Sequence, residues 1–302
     1  MKNIGLDIGG TSIKGAVVED GKIIKSVKVE TNAKLGLDAI LQAIFDCIDM
    51  LLPFVDSNSK IGIGSAGDIN PFSGEVIYAT ENLPNFTGLR LKEIVEKKFD
   101  REVTVINDAI SGLIGELKYG AGVGADDVVM LTLGTGLGFG AVIGGRLLLG
   151  QNCRAGRFGH ITLYPNGRDC TCGKFGCAEQ YVSATGLLRT AKKIGLDQND
   201  CTEIMRLSTV HNKLAEASVD KFLSDLVLLV TDIENLFDPE RLIIGGGLVE
   251  SREYWWDNFL SRLTEHQKAV VVPAKLGNKA GFFGSQYITF DKSLFANLQL
   301  KN

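Results

Sequence analysis

The residues most able to do chemistry lie between Gly159 and Glu179. Gly159-His160 is followed, after a short spacer, by Cys170-Thr171-Cys172-Gly173-Lys174-Phe175-Gly176-Cys177-Ala178-Glu179. One imidazole and three thiols at this spacing can build a closed tetrahedral site. Borderline-soft Zn2+ takes thiolate sulfur and imidazole nitrogen in such sites. His160, Cys170, Cys172 and Cys177 therefore read as a Cys3His zinc site, the alternative being three reduced cysteines in an ordinary loop. A metal there would rigidify one loop, and with it the polar residues Arg157, His160 and Glu179.

A second chemistry is suggested by an internal repeat. Shifting the chain by 125 residues lays Leu6-Asp7-Ile8-Gly9-Gly10-Thr11-Ser12-Ile13-Lys14-Gly15-Ala16-Val17-Val18 over Leu131-Thr132-Leu133-Gly134-Thr135-Gly136-Leu137-Gly138-Phe139-Gly140-Ala141-Val142-Ile143 without a gap. Each copy runs from an apolar strand through a Gly/Thr turn into another apolar strand, as a duplicated unit would. Glycine lets backbone approach a ligand closely, and successive N–H groups in such a turn form an anion nest. Gly9, Gly10, Thr11, Gly134, Thr135 and Gly136 are thus candidates to hold phosphate, against the plainer reading of two glycine-turn hairpins. Lys14 reads equally as a phosphate cation or as a solvated strand residue. A third glycine cluster, Gly245-Gly246-Gly247, follows the short buried run Arg241-Leu242-Ile243-Ile244 and turns toward a helix. A nucleotide commonly lies against backbone at such a strand-to-helix turn, but triple glycine can also be only a loop.

A candidate base stands at a third junction. Val103-Thr104-Val105-Ile106 reads as a strand ending at Asn107-Asp108, and Ala109 to Leu117 continues with helical periodicity. An Asp there is often the helix cap. It can also act as a general base beside a bound hydroxyl.

The elements that must position these groups alternate between strand and helix signals. Phe222, Leu226, Val230, Ile233 and Phe237 keep helical spacing and mark a core face, and Asp238-Pro239 ends that helix. At 302 residues the chain is long enough for two domains, and 45% hydrophobic with 23% charged residues describes a globular protein with a full core. A net charge of −4 leaves no electrostatic footprint for nucleic acid or an anionic membrane. No apolar run approaches the ~20 residues of a membrane span. The start, Met1-Lys2-Asn3-Ile4-Gly5-Leu6-Asp7, is unlike a signal peptide, and six cysteines with three at zinc spacing fit a reducing cytoplasm better than a disulfide framework.

Taken together, Asp7-Ile8-Gly9-Gly10-Thr11, Ile106-Asn107-Asp108-Ala109, Leu133-Gly134-Thr135-Gly136-Leu137-Gly138, the His160 to Glu179 cluster continuing into Gln180-Tyr181, and Gly245-Gly246-Gly247 resemble the ROK family (repressors, open reading frames and sugar kinases) over nearly the whole chain. The resemblance implies an α/β, two-domain actin-like ATPase (ribonuclease H-like) fold with an interdomain cleft. Residues 1–119 plus 289–302 would form the smaller domain and residues 120–288 the larger one with the zinc loop. It implies an ATP-dependent phosphotransferase acting on an alcohol: a kinase for the 6-hydroxyl of a hexose or N-acylhexosamine, of glucokinase or N-acetylmannosamine kinase type. Asp108 would take the hydroxyl proton, and Asn107 would hold neighbouring hydroxyls. The two phosphate turns would cradle ATP with Mg2+ near Asp7, while Gly246 and Gly247 would line the adenosine. Zn2+ would be structural, with His160 and Glu179 facing the sugar. Gly67 and Asn82 match sugar-side positions. A homodimer is the family's common assembly.

At Arg157 the chain departs from the family pattern, because many ROK glucokinases carry a sugar-binding Glu three residues before the zinc histidine. A guanidinium only donates hydrogen bonds. It must swing out, pair with Glu179, or meet an acceptor or anionic group on the substrate, so glucose itself is not implied. A β-glucoside kinase and a catalytically silent sugar sensor remain as alternatives. A repressor would need a DNA-binding helix-turn-helix ahead of Asp7, where no room is left.

Overall fold

The computed structural model describes residues 2–289 and 293–295. Contacts divide the chain into two compact units. One comprises the described residues up to Gly124, Gly145–Ala155 and the described residues from Lys279 onward; the other comprises Ala125–Gly144 and Gly156–Asn278. Among the described residues no helix is long and apolar enough to cross a membrane.

In the first unit, the first copy of the repeat forms β1 (Asn3–Ile8) and β2 (Ser12–Glu19), and β3 (Lys22–Glu30) continues the meander. After α1 (Leu37–Asp49) the chain returns as β4 (Ile61–Ser65), makes the small hairpin β5 (Asp68–Asn70) and β6 (Glu75–Tyr78), and passes through α2 (Leu91–Phe99) into β7 (Val103–Asn107) and α3 (Asp108–Tyr119). The sheet order is β3-β2-β1-β4-β7, with β1, β4 and β7 parallel. Side chains alternate across a strand. On β1, Ile4, Leu6 and Ile8 enter one buried cluster with Ile40, Ile44 and Ile48 of α1. The opposite face is set for close approach. A Cβ on Gly5 would lie 2.1 Å from Phe282 O, and one on Gly62 only 1.8 Å from Ser285 O. These carbonyls belong to a helix from the far end of the sequence, here α9 (Ala280–Ile288), labelled after the helices of the second unit.

In the second unit, β8 (Val128–Leu133) and β9 (Leu137–Ile143) form the second copy of the repeat. The short strand β10 (Arg146–Leu147) lies on the segment that clusters with the first unit. Helices α4 (Ala184–Lys193), α5 (Cys201–Thr209) and α6 (Lys213–Phe237) precede β11 (Arg241–Gly245); α7 (Trp256–Ser261), α8 (Glu265–Val270) and β12 (Val271–Pro273) follow. Strands run β9-β8-β11-β12, with β8, β11 and β12 parallel. The apolar stripe of α6 is buried at Phe222, Leu226, Val230 and Ile233, and Asp238 closes the helix in the left-handed region.

Three expectations are revised. First, the two halves of the repeat are not equivalent in pairing. Ile8 faces Ile13 in the first hairpin, whereas Leu133 faces Leu137 in the second, one residue earlier. Gly15 therefore pairs with Leu6, while its sequence counterpart Gly140 pairs with Met130 rather than Leu131. A one-residue slip turns side chains to the other face, so the gapless match holds for the first strands but not for the turn lengths or the faces of β2 and β9. Second, the helix expected after Gly246 is of the 3-10 type, Gly247–Tyr254, and is kinked at Ser251. Third, the contact clusters divide the chain differently from the expected 1–119 plus 289–302 and 120–288. The first unit extends to Gly124 and takes in Gly145–Ala155 and α9, because α9 packs on β1, β4 and α3. Of the expected return at 289–302, residues 290–292 and 296–302 lie outside the described residues.

Candidate active site

The first unit gathers its candidate residues at one edge of the sheet. In register, Ile8 lies opposite Ser65 and Ser65 opposite Asn107, so the carboxyl ends of β1, β4 and β7 stop together. Ligands of open α/β sheets bind outside such strand ends. At the β7–α3 junction the capping function falls to Asn107, whose backbone is extended and whose side-chain oxygen accepts from Ile110 N at 3.1 Å. Asp108 is then the first residue inside the helix and is not the cap. Its Oδ1 accepts from Ala109 N (2.8 Å) and Asn107 Nδ2 (3.0 Å). Asn107 Nδ2 also donates to Gly67 O at 2.8 Å, which brings Gly67 to the same place. Both amide hydrogens of Asn107 are thereby used, so it acts mainly as an orienting group for Asp108, with one lone pair of Oδ1 left for a ligand.

Charge is concentrated beside it. Asp7 is pushed up from 3.8 to about 6, first by burial, then by the charge of Asp108, with Lys14 acting in the opposite sense. Lys14 stands directly across from Asp7 on β2. Asp108 is also raised, by burial, against the lowering effect of the bonds from Ala109, its own amide and Asn107. Two carboxylates that each raise the energy of the other's charge form a site prepared for a cation or a proton.

The turn Gly9-Gly10-Thr11 between β1 and β2 closes through Gly9 N on Ser12 O at 3.1 Å. Thr31, fully buried and directly after β3, clamps it: its hydroxyl donates to Gly9 O (2.6 Å) and its amide to Thr11 O (3.1 Å). A Cβ on Gly10 would stand 3.0 Å from Asn82 O, so exposed Asn82 lies against this turn. Thr31 is a positioning residue that sequence reasoning missed, since a lone Thr after a strand carries no motif.

In the second unit, Gly134-Thr135-Gly136 joins β8 to β9, with Gly134 N donating to Gly136 O at 3.0 Å. Thr185 donates to Thr135 O (2.8 Å) and Ala184 N to Gly134 O (2.8 Å), so the start of α4 holds the turn. Glu179 Oε2 accepts Leu137 N at 3.1 Å, and a Cβ on Gly136 would strike that carboxylate. The loop with the thiols is thus fastened to the turn, and Glu179 keeps its other oxygen for a ligand. The glycines of this unit divide by what demands them. Gly246 has φ +88° and its Cβ would meet the Leu133 backbone at 2.5 Å, a requirement of the fold. Gly134 and Gly247 would meet nothing within 4 Å and have no positive φ. No described group requires glycine at those two positions, as expected where backbone is kept bare for a ligand.

His160, Cys170, Cys172 and Cys177 converge so that their ligand atoms all lie within 4.8 Å of one another. His160 Nδ1 is 3.6 Å from Cys170 Sγ, and Cys172 Sγ is 3.6 Å from Cys177 Sγ. Bonds of about 2.0–2.3 Å to a tetrahedral zinc put neighbouring ligand atoms roughly 3.5–3.8 Å apart, so the donor set fits the ion. With Nδ1 turned to the thiols, Nε2 is the nitrogen on the outer side of the ring. Arg157 precedes the 3-10 turn Phe158–His160, and its carbonyl accepts His160 N at 2.9 Å, so guanidinium and imidazole issue from one turn.

Comparison with known proteins follows the same outline. The profile of the ROK family matches residues 3–292. A glucokinase from Streptomyces coelicolor is 35% identical over 93% of this chain and 95% of its own. An N-acetylmannosamine kinase from Haemophilus influenzae is 27% identical over 95% of both. Among solved structures, a ROK family glucokinase from Streptomyces griseus in complex with glucose and AMPPNP superposes with a TM-score of 0.83 at 32% identity, covering 95% of this chain and 99% of that one.

Proposed function

The chain belongs to the ROK family, and on that premise we propose that it transfers the γ-phosphoryl group of ATP to the 6-hydroxyl of a hexose or N-acylhexosamine. The observation that carries this reading is the β7–α3 junction. Asn107 takes the cap bond from Ile110 N, which leaves Asp108 as a partly buried carboxylate with a raised pKa, its Oδ1 held by Ala109 N and Asn107 Nδ2.

In this reading Asp108 accepts the proton as the sugar hydroxyl attacks in line, and Asn107 fixes the carboxylate. Such transfer is catalysed mainly by positioning and electrostatic stabilisation. Backbone amides at Gly9-Gly10-Thr11 and Gly134-Thr135-Gly136 hold the phosphates, Lys14 stands beside Asp7, and bare backbone at Gly246-Gly247 receives the adenosine. Mg2+ suits the hard oxygen of Asp7, whose ionisation a divalent cation favours, and supplies charge neutralisation at the phosphates. Zn2+ on His160, Cys170, Cys172 and Cys177 supplies rigidity and no chemistry. His160 Nε2, the free oxygen of Glu179, Asn82 and the Gly67 turn bind sugar hydroxyls.

Arg157 bears on which sugar is used. A donor-only side chain on the His160 turn fits an acceptor on the substrate, such as the acyl carbonyl of an N-acylhexosamine. ADP release measured with glucose, mannose, N-acetylmannosamine, N-acetylglucosamine and a β-glucoside tests the proposal, on wild type and Arg157→Glu. Turnover of at least one sugar is expected, with preference moving toward unsubstituted hexoses in the variant. No turnover with any of them would leave a sugar sensor in place of a kinase.

A further inference from the structure

Helix α6 grips the loop that carries His160 and Glu179 through one side chain. Tyr164 lies four residues after His160, and its backbone crosses the return limb of the loop. Leu163 N and Tyr164 N both donate to Gly176 O (2.8 and 3.1 Å), and a Cβ on Gly176 would lie 1.7 Å from Tyr164 O. Its ring packs on Tyr181, two residues past Glu179, with centroids 4.8 Å apart. One residue therefore touches both limbs of the loop.

The hydroxyl of Tyr164 reaches α6. It donates to Asp225 Oδ1 at 2.5 Å and accepts from Lys221 Nζ at 2.5 Å, while Lys221 also donates to Asp225 Oδ1 at 2.6 Å. The ammonium sits 4.2 Å over the Tyr164 ring. Asp225 is 1% exposed, on the face of α6 that otherwise buries Phe222, Leu226 and Leu229. Its Oδ2 is buried without a hydrogen-bond partner. An ion pair kept only for helix stability would sit at the surface, where it needs no desolvation. A buried acid with an unsatisfied oxygen, aimed at one phenol, is costly for stability and is explained by what it fixes.

We propose that Tyr164, held by Lys221 and Asp225, is a positioning residue that sets the presentation of His160 and Glu179 to the sugar. This rests on the kinase reading for what the loop binds, but the grip itself is a property of the loop and helix. Tyr181 is held in the same manner from its other side. Its hydroxyl accepts Arg168 N (2.7 Å), and the Arg168 guanidinium stacks 4.5 Å over its ring while donating to Gln180 O and Gly186 O. Arg168 lies on the limb leaving His160, so that limb is tied to α4 through Arg168 and to α6 through Tyr164.

The test uses the full-length Tyr164→Phe and Lys221→Met proteins. Tyr164→Phe keeps the ring on Tyr181 and removes only the hydroxyl; Lys221→Met keeps the phenol–carboxylate bond and serves should the first variant fold poorly. Amides of residues 161–178 should exchange hydrogen at least tenfold faster than in wild type, with zinc content per chain unchanged. The KM for the sugar should rise at least fivefold while the KM for ATP stays within twofold. Unchanged exchange in both variants overturns the grip. Faster exchange with an unchanged sugar KM, or with sugar and ATP KM rising together, overturns the positioning role. A wild type that phosphorylates no sugar removes the kinase reading, and the exchange result then decides the grip by itself.

Discussion

At the start of α3, Asn107 and Asp108 divide two tasks that a sequence assigns to either. Asn107 takes the backbone donor of Ile110, and Asp108, one position further in, is left to the ligand side. The types and their order are visible in the sequence, but which of the two caps depends on backbone angles that appear only with the β7 register. Asp7 next to it is the residue whose cost can be measured. A shift from 3.8 to about 6 corresponds to at most about 3 kcal/mol of unfavourable ionisation in the ligand-free protein. Because the folded value is the higher one, the stability is present below the unfolded pKa and is lost as pH rises through about 6. Asp7→Asn should therefore raise the ligand-free protein's resistance to urea at pH 8 by about 1–3 kcal/mol, with most of that gain gone near pH 4. An equal gain at both pH values would show that charge is not its source. For the same reason the acidic limb of kcat/KM against pH should lie above the ordinary aspartate value, since a base with a raised pKa is protonated earlier as pH falls.

Elements carry the next level of the argument, and glycine is where their demands separate. At Gly62 a Cβ would meet Ser285 O at 1.8 Å, so Gly62→Ala must push α9 off the sheet and should cost about 3 kcal/mol or more. At Gly134 nothing lies within 4 Å. Gly134→Ala should leave stability within about 0.5 kcal/mol while raising the KM for ATP at least tenfold, read from urea titrations and steady-state kinetics. A stability loss at Gly134 matching that at Gly62 would return the second phosphate turn to a structural role. The repeat was legible as two strand–turn–strand units because Gly9 and Gly134 align and both turns close on themselves. Its second strands were misread as equivalent. The first turn holds one residue more than the second, and loop length is invisible to a gapless match whose residues are nearly all apolar or glycine. The convergence of His160, Cys170, Cys172 and Cys177 was legible, since ligand type and spacing are chemistry written locally. The loop's fastening to the neighbouring turn through Glu179 and Leu137 N was not, because that bond joins positions far apart in the chain.

For the whole molecule, the sequence supported two α/β units, and the contact clusters divide the chain between them differently where the division depends on long-range packing. Helix α9 follows the second unit in the chain but packs with the first, through the bare faces of Gly5, Gly62 and Gly115. Those glycines carry no periodic signal, and only a partner helix explains them. The same applies to Tyr164, Lys221 and Asp225, which belong to no motif and meet only through packing. The function proposed for the chain is the transfer of one phosphoryl group to a primary sugar hydroxyl. Proton-coupled 31P spectra of the protein with ATP, Mg2+ and the sugar it turns over test that most directly. The account predicts ADP together with a new phosphomonoester resonance split by two methylene protons, absent with Asp108→Asn. ADP with inorganic phosphate alone, a resonance split by a single anomeric proton, or an undiminished rate in Asp108→Asn would contradict it.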